Sequence, residues 1–192
     1  MFIIAGLYRH QQLKSPKGDQ TRPTSSRLRE ALFNICQHPI GESRFLDIFA
    51  GSGAMGFEAL SRGAQSATFI EMNKNAIHCI ESNMDHLKVR PHCQILRGEA
   101  FTMLQFLEKK GKQFDVIYAD PPYRTLAPGS THFCSTQIIE WIDRHSLLVP
   151  GGLLFIEEDF RFQPQLDQLQ TLTFVNDRRM GPAVLQQYQK KQ

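Results

Sequence analysis

Residues 45–56 read Phe45-Leu46-Asp47-Ile48-Phe49-Ala50-Gly51-Ser52-Gly53-Ala54-Met55-Gly56. The first five residues have the length and apolar character of a buried strand. The last six form a Gly-x-Gly-x-x-Gly turn that opens an apolar helical segment ending near Gly63. Strand, glycine turn and helix in immediate succession make the opening unit of a nucleoside-binding α/β sheet. The glycines let backbone approach the ligand and let the helix pack close to the strand. The next apolar run, Ala67-Thr68-Phe69-Ile70, ends at Glu71, 20 residues after Gly51. A carboxylate there can take both hydroxyls of a ribose. A merely tight turn, with Glu71 as an exposed strand-end charge, would leave this spacing without a reason.

The alternation extends in both directions. Leu28, Ala31, Leu32 and Ile35 follow an i, i+3, i+4, i+7 stripe, which predicts a helix from about Thr24 that ends before Pro39 and Gly41. Ile77, Ile80, Met84 and Leu87 predict a second helix over 75–87, followed by a strand at 93–96 and a helix at 103–109. A strand runs from Phe114 into Asp120. After a polar loop at 124–136, Ile138, Ile139 and Ile142 mark another helix, and Pro150-Gly151-Gly152 is expected to turn into a strand at 153–156. Two weaker strands, near 172–175 and 183–188, flank Gly181-Pro182 and should pair antiparallel. The expected fold is α/β and Rossmann-like: a mainly parallel seven-stranded sheet with an antiparallel C-terminal strand and helices on both faces. Residues 2–13 read as a short strand or hairpin.

The chain has 192 residues, 41% hydrophobic and 21% charged, which suits one domain with a sizeable core. No apolar run approaches the ~18 residues of a membrane span, and Met1 leads into only three apolar residues, too few for a signal peptide. Cys36, Cys79, Cys93 and Cys134 form no Cys-x-x-Cys pair, so no metal is expected, and they read as reduced thiols of a cytoplasmic protein. The seven histidines show no ligand or triad spacing. Trp141 falls on an apolar helical face. His132, in the loop beyond the fourth strand, is a candidate substrate contact.

Net charge is +3, but residues 1–34 carry six Lys/Arg against Asp19 and Glu30, whereas the remainder holds 16 basic and 17 acidic residues. All of the positive excess therefore lies in the N-terminal segment. Residues 1–23 are expected to be a basic arm that binds a polyanion, with 24–192 as the catalytic domain. A solvated tail is the other reading, but the arm has apolar and glycine punctuation that a disordered tail lacks.

The fourth strand runs straight into Asp120-Pro121-Pro122-Tyr123. This tetrapeptide suits the immobilisation of a planar amino group. The Asp120 carboxylate and the Pro121 carbonyl can each accept one N–H. Pro121 and Pro122 stiffen the turn that aims them, and Tyr123 offers a face for ring stacking. Asp47, four residues before Gly51, disfavours the pyrophosphate of a dinucleotide and favours a cationic cofactor. S-adenosylmethionine fits: Asp47 would attract its amino group, Glu71 its ribose, and Gly98-Glu99-Ala100 its adenine amine. Glu99 also reads as an acid at a helix N-terminus.

Leu46-Asp47-Ile48-Phe49-Ala50-Gly51-Ser52-Gly53, Glu71 and Asp120-Pro121-Pro122-Tyr123, in this order, resemble a class I S-adenosylmethionine-dependent amino-methyltransferase. Ile3-Ile4-Ala5-Gly6, Arg22-Pro23-Thr24 and residues 27–34, with Met180-Gly181 and Leu185-x-x-Tyr188, are similar to the bacterial family that methylates guanine N2 in small-subunit ribosomal RNA. The resemblance covers nearly the whole chain. Where the family usually shows Arg-Gly-Arg, this chain has Arg9-His10-Gln11, and Glu99 stands where the family often has Asp or Asn. The resemblance implies a cofactor site of Asp47, Phe49, Ala50, Gly51, Ser52, Gly53, Glu71, Met72, Glu99, Ala100 and Asp120, with S-adenosylhomocysteine as product. It also implies catalysis by Asp120, Pro121, Pro122 and Tyr123, and RNA contacts at Arg9, Lys14, Lys17, Arg22 and Thr24. The implied partner is 16S ribosomal RNA in an assembled or assembling small subunit, met by a monomer. An adenine-N6 or glutamine-amide methyltransferase shares the Asp-Pro-Pro-Tyr motif, and a nucleoside-binding RNA chaperone is the non-enzymatic alternative. A dinucleotide oxidoreductase has no use for that motif.

Overall fold

The computed structural model describes residues 1–16, 26–122, 134–161 and 169–192. Its elements are α1 (Ser26–Ile35), β1 (Arg44–Ile48), α2 (Ala54–Ser61), β2 (Ser66–Glu71), α3 (Lys74–Leu87), β3 (Cys93–Arg97), α4 (Ala100–Lys109), β4 (Phe114–Ala119), α5 (Cys134–Arg144), β5 (Leu148–Asp159), β6 (Leu172–Met180) and β7 (Ala183–Lys190). One seven-stranded sheet runs in the order β3-β2-β1-β4-β5-β7-β6. The first five strands in that order are parallel; β7 runs antiparallel to both β5 and β6. This is the Rossmann-like class I methyltransferase fold.

Alternate residues of the central strands feed two separate cores. Phe45, Phe69, Val116, Tyr118 and Phe155 join the cluster under α1, α2 and α3. Leu46, Ile48, Ile70, Ile117 and Ile156 join the cluster under α4 and α5. Burial on both faces explains why these strands read as continuous apolar runs rather than alternating ones.

The N-terminal segment is built into the first of these layers. Ile3 and Leu13 are core residues, and Phe2 bridges Gln12 in an antiparallel turn. Glu58 of α2, fully buried, accepts the amides of Ile4 at 2.8 Å and Ala5 at 3.1 Å. Ser61 holds the amides of Leu7 and Tyr8. Arg29, counted above in the positive excess, is buried: it pairs with Glu58 at 3.8 Å and donates to the Phe2 carbonyl. That charge is consumed inside the protein, whereas Arg9 and Lys14 are exposed. His10 has φ 67°. Histidine is one of the few residues other than glycine that tolerate this left-handed conformation.

Two expectations need correction. Pro150-Gly151-Gly152 is not a turn but lies inside the 12-residue β5, where the register against β4 shifts between Phe114 and Val116. A bulge admits the proline and glycines without ending the strand. The C-terminal strands are also longer than read, because β6 is an edge strand with seven exposed residues in succession and lacks the apolar signal of a buried one.

Asp143 near the end of α5 accepts the amides of Gln170, Thr171 and Leu172 at 2.7–2.9 Å and so fixes the start of β6. Burial raises its pKa, but the hydrogen bonds from Gln170, Leu172 and Thr171 outweigh that and hold the carboxyl below the ordinary value. Its contribution is therefore present above the unfolded pKa of about 3.9 and lost as the pH falls through the folded value. Asp143→Asn is expected to cost about 1.5–3 kcal/mol at neutral pH. The gap between variant and wild type, measured by urea unfolding, should narrow as the buffer is taken below about pH 4.

Candidate active site

β1 is hydrogen-bonded on both sides, and its register fixes the site. Ile48 is opposite Ile70 of β2 and Ala119 of β4. The next residue on each strand is Phe49, Glu71 and Asp120, so these three stand side by side at the C-terminal edge of the sheet. Connections from β1 and β4 leave toward opposite faces here, which opens the crevice where α/β sheets bind ligands. The Asp120 amide still donates to the Ile48 carbonyl, at 3.3 Å.

The glycine turn is shaped by the groups around it. Phe49 is left-handed, with φ 63°, as are Gly51 and Gly53 at 55° and 77°. A left-handed phenylalanine is a strained conformation held by its surroundings. A Cβ on Gly53 would lie 2.7 Å from the Phe57 ring, and one on Gly56 would overlap the Phe69 ring. The third glycine therefore sets how closely α2 can approach β2, as its motif position predicts.

Glu71 ties the pieces together. One carboxylate oxygen accepts the Gly51 amide at 2.8 Å, and the other accepts those of Met72 and Asn73, also at 2.8 Å. Gly98 donates to the Glu71 carbonyl. Beside it, Met72 is 70% exposed, an apolar side chain that presents a surface to whatever lies over the strand ends. A carboxylate with spare lone pairs, an exposed thioether and close-approaching backbone amides fit the ribose, adenine and amino-acid ends of S-adenosylmethionine.

Asp47, expected to attract the amino group of the cofactor, lies below the surface of the crevice. It is buried beneath the turn, and its Oδ2 accepts the Gly56 amide at 3.1 Å. Burial drives its pKa well above the carboxylate range; the Gly56 amide opposes this and Glu71 adds to it. In this structure Asp47 fastens α2 to the turn. Glu99 is the N-cap of α4, accepting the amides of Phe101 and Thr102, with Ala100 buried behind it. Pro121 is buried and Pro122 exposed. Tyr123, His132, Lys17, Arg22 and Thr24 lie outside the described residues.

The sequence reading missed three supports. Asn83 of α3, buried, accepts the Lys14 amide and donates to the carbonyls of Lys14 and Ser52, joining the N-terminal segment to the glycine turn. Tyr118, two residues before Asp120, donates its hydroxyl to Glu157 at 2.7 Å, and Ser135 donates to Glu158. The only sequence signals were an asparagine in the apolar stripe of α3 and an acidic run closing an apolar strand. The thiols of Cys36 and Cys93 are pushed to about 12, and that of Cys134 to about 11, chiefly by burial, so none is a nucleophile at neutral pH.

The family described as Conserved hypothetical protein 95 matches residues 1–189. The chain belongs to this family. It is 39% identical over 157 residues to Ribosomal RNA small subunit methyltransferase D of Escherichia coli K12, covering 82% of this chain and 74% of that one. It is 36% identical over 162 residues to the protein of the same name from Haemophilus influenzae, covering 82% and 78%. The solved structure of yhhF from Escherichia coli superposes with a TM-score of 0.81 at 30% identity, covering 100% of this chain and 98% of that one. An RNA methyltransferase from Salinibacter ruber, solved with S-adenosyl-L-homocysteine, shares the fold at TM-score 0.62 and 13% identity, covering 88% and 94%.

Gly56→Ala should force the Phe69 ring or α2 to move. A cost of about 1–3 kcal/mol is expected, seen as a lower urea midpoint at unchanged m-value.

Proposed function

We propose that this protein transfers a methyl group from S-adenosylmethionine to the exocyclic N2 amine of one guanine in small-subunit ribosomal RNA. The observation that carries the reading is the register of β1 with β4 and β2, which sets Asp120-Pro121-Pro122 beside the glycine turn, with Glu71 on the turn's far side. Family membership and the names of the relatives support RNA as the substrate class. The guanine N2 assignment comes from the resemblance of the arm segments and C-terminal motifs.

S-adenosylmethionine, when bound, supplies an electrophilic methyl group on a sulfonium. Glu71 would hold the ribose hydroxyls, Met72 would lie against the adenine, and the Phe49–Gly53 backbone would receive the amino-acid end, with Asp47 fixing the turn behind it. Glu99 and Ala100 would border the adenine side through the α4 terminus.

An exocyclic amine is a weak nucleophile because its lone pair is delocalised into the ring. The Asp120 carboxylate and Pro121 carbonyl, accepting its two hydrogens, would draw the nitrogen toward tetrahedral geometry and aim the lone pair at the cofactor. The Asp120 charge also favours the positive charge that grows on nitrogen. The two prolines keep these acceptors from relaxing away. A base inside a helix cannot reach them, so the guanine would be unstacked and held against Tyr123. Arg9 and Lys14 on the docked segment, with Lys17, Arg22 and Thr24 beyond it, would meet phosphates.

Asp120→Ala should abolish methyl transfer to small ribosomal subunits while S-adenosylhomocysteine affinity, measured by calorimetry, stays within about tenfold, or ~1.4 kcal/mol. A variant that still methylates near the wild-type rate would remove Asp120 from the chemistry. Reversing the charges of Arg9, Lys14 and Lys17 to Glu spares the buried Ile3 and Leu13, so the unfolding midpoint should hold while RNA affinity and its salt dependence fall. Unchanged RNA binding across a salt series would exclude the arm as an RNA contact.

A further inference from the structure

Beyond β5 the same edge of the sheet carries arginine and aromatic side chains that are organised rather than scattered. After Asp159 the chain turns through Phe160 and Arg161, and the Phe160 amide donates to the Pro182 carbonyl of the β6–β7 turn at 3.0 Å. The Arg179 guanidinium lies 3.7 Å from the centroid of the Phe160 ring, and its Nε donates to the Gly181 carbonyl at 3.1 Å. Arg161 reaches to 5.9 Å of the same ring and is paired with Asp159. Arg178 and Arg179 are exposed, and neither forms an ion pair with a described residue; Asp177 is the other acid at this end of the hairpin.

The register gives the distance to the chemistry. Ala119 is opposite Ile156, and Glu157 is opposite Leu185, which is opposite Arg178. Asp120 and Arg178 therefore end nearly the same row, three strand spacings apart, on the order of 14 Å. The N-terminal segment docks on α2 and α3, on the β1–β2 side of Asp120. The arginine ledge lies on the other side, so the site sits between two basic surfaces.

We propose that Arg178 and Arg179, which project to opposite faces of the edge strand, form with the Phe160 platform and Arg161 a second RNA-contact surface along the rim of the sheet, one that grips the sugar-phosphate backbone beside the target base. This rests on the RNA-methyltransferase reading. Stacking and the Gly181 carbonyl hold Arg179 in place, so little side-chain freedom remains to be lost on binding, and its terminal N–H groups keep a fork geometry suited to phosphate. The outer guanidinium face is also a plane on which an unpaired base can stack. A purely structural stack would need neither an exposed Arg178 on the other face of the same strand end nor a place level with Asp120.

The test is the double variant Arg178→Gln/Arg179→Gln, with Lys109→Gln/Lys112→Gln at the opposite edge of the sheet as a charge-matched control. A fluorescein-labelled, mixed-sequence single-stranded oligoribonucleotide is titrated by anisotropy across a salt series. The double variant should bind about tenfold or more weakly at low salt, with a log–log salt slope reduced by about 1.4, while the lysine control follows wild type. Arg178→Gln alone, which leaves the Phe160 stack in place, should lose about half of that slope. S-adenosylhomocysteine affinity and the unfolding midpoint should be unchanged, and methylation of small ribosomal subunits should show a raised KM at unchanged kcat. Wild-type slopes in both arginine variants, or an equal loss in the lysine control, would overturn the proposal. If wild-type protein binds the oligoribonucleotide but methylates no subunit, the enzymatic reading fails, and the ledge is still judged by its salt slope.

Discussion

The hydrogen bonding of β1 to a parallel partner on each side is the constraint from which the site follows. Neither neighbour can slip, because a one-residue shift would exchange the two core faces of every strand involved. Phe45 would then leave the α1–α3 layer and Leu46 the α4–α5 layer. With the register pinned by apolar packing, the residues just past the strand ends are pinned as well. Phe49, Glu71 and Asp120 come from segments separated by dozens of residues, yet their backbone positions are set by cores to which Glu71 and Asp120 contribute no apolar side chain and against which only Phe49 packs. The geometry of the candidate site is thus inherited from packing in the middle of the sheet.

Buried polar groups then fix the connections that packing cannot reach. Glu58 collects two backbone amides and two arginines around a carboxylate with no exposed surface. Asp143 does the same for the start of β6. Each carboxylate bears a desolvation cost that is offset only because several donors converge on it. This suits segments with few apolar residues of their own: the N-terminal turn and the exposed edge strand are each held at one end by a carboxylate on a helix.

The central fold was legible because its signal is redundant. β1, β2 and β4 are continuous apolar runs, each ended by a charged or glycine-rich segment, and α3 shows its stripe at Ile77, Ile80, Met84 and Leu87. Errors fell where local signals mislead. Pro150-Gly151-Gly152 has the composition of a turn, but a bulge opposite Asp115 absorbs it into the strand. β6 is exposed along most of its length, so its extent depends on pairing with β7 rather than on apolar pattern. Within the site, Glu71 and Asp120 could be read from spacing to neighbouring motifs. Asp47 was identified but not its burial, since a strand acid carries no mark of the helix that will cover it. Asn83 and the Tyr118–Glu157 pair were invisible because their partners are distant in sequence. Arg29 shows the same limit for charge: counted in a sum it is a basic residue, yet in the fold it is an internal counter-ion.

The side chain of Asn83 binds the backbone of Lys14 with one hand and the carbonyl of Ser52 with the other. The N-terminal segment and the glycine turn consequently share a single anchor, and neither can shift without disturbing the hydrogen bonds of its neighbour. Two ligands that each prefer one setting of that anchor are then thermodynamically coupled. Were a cofactor at the turn to favour one setting, a polyanion binding the segment in that same setting would tighten the turn by an equal free energy. The reciprocity needs no domain motion, because its carrier is one amide group spanning two loops.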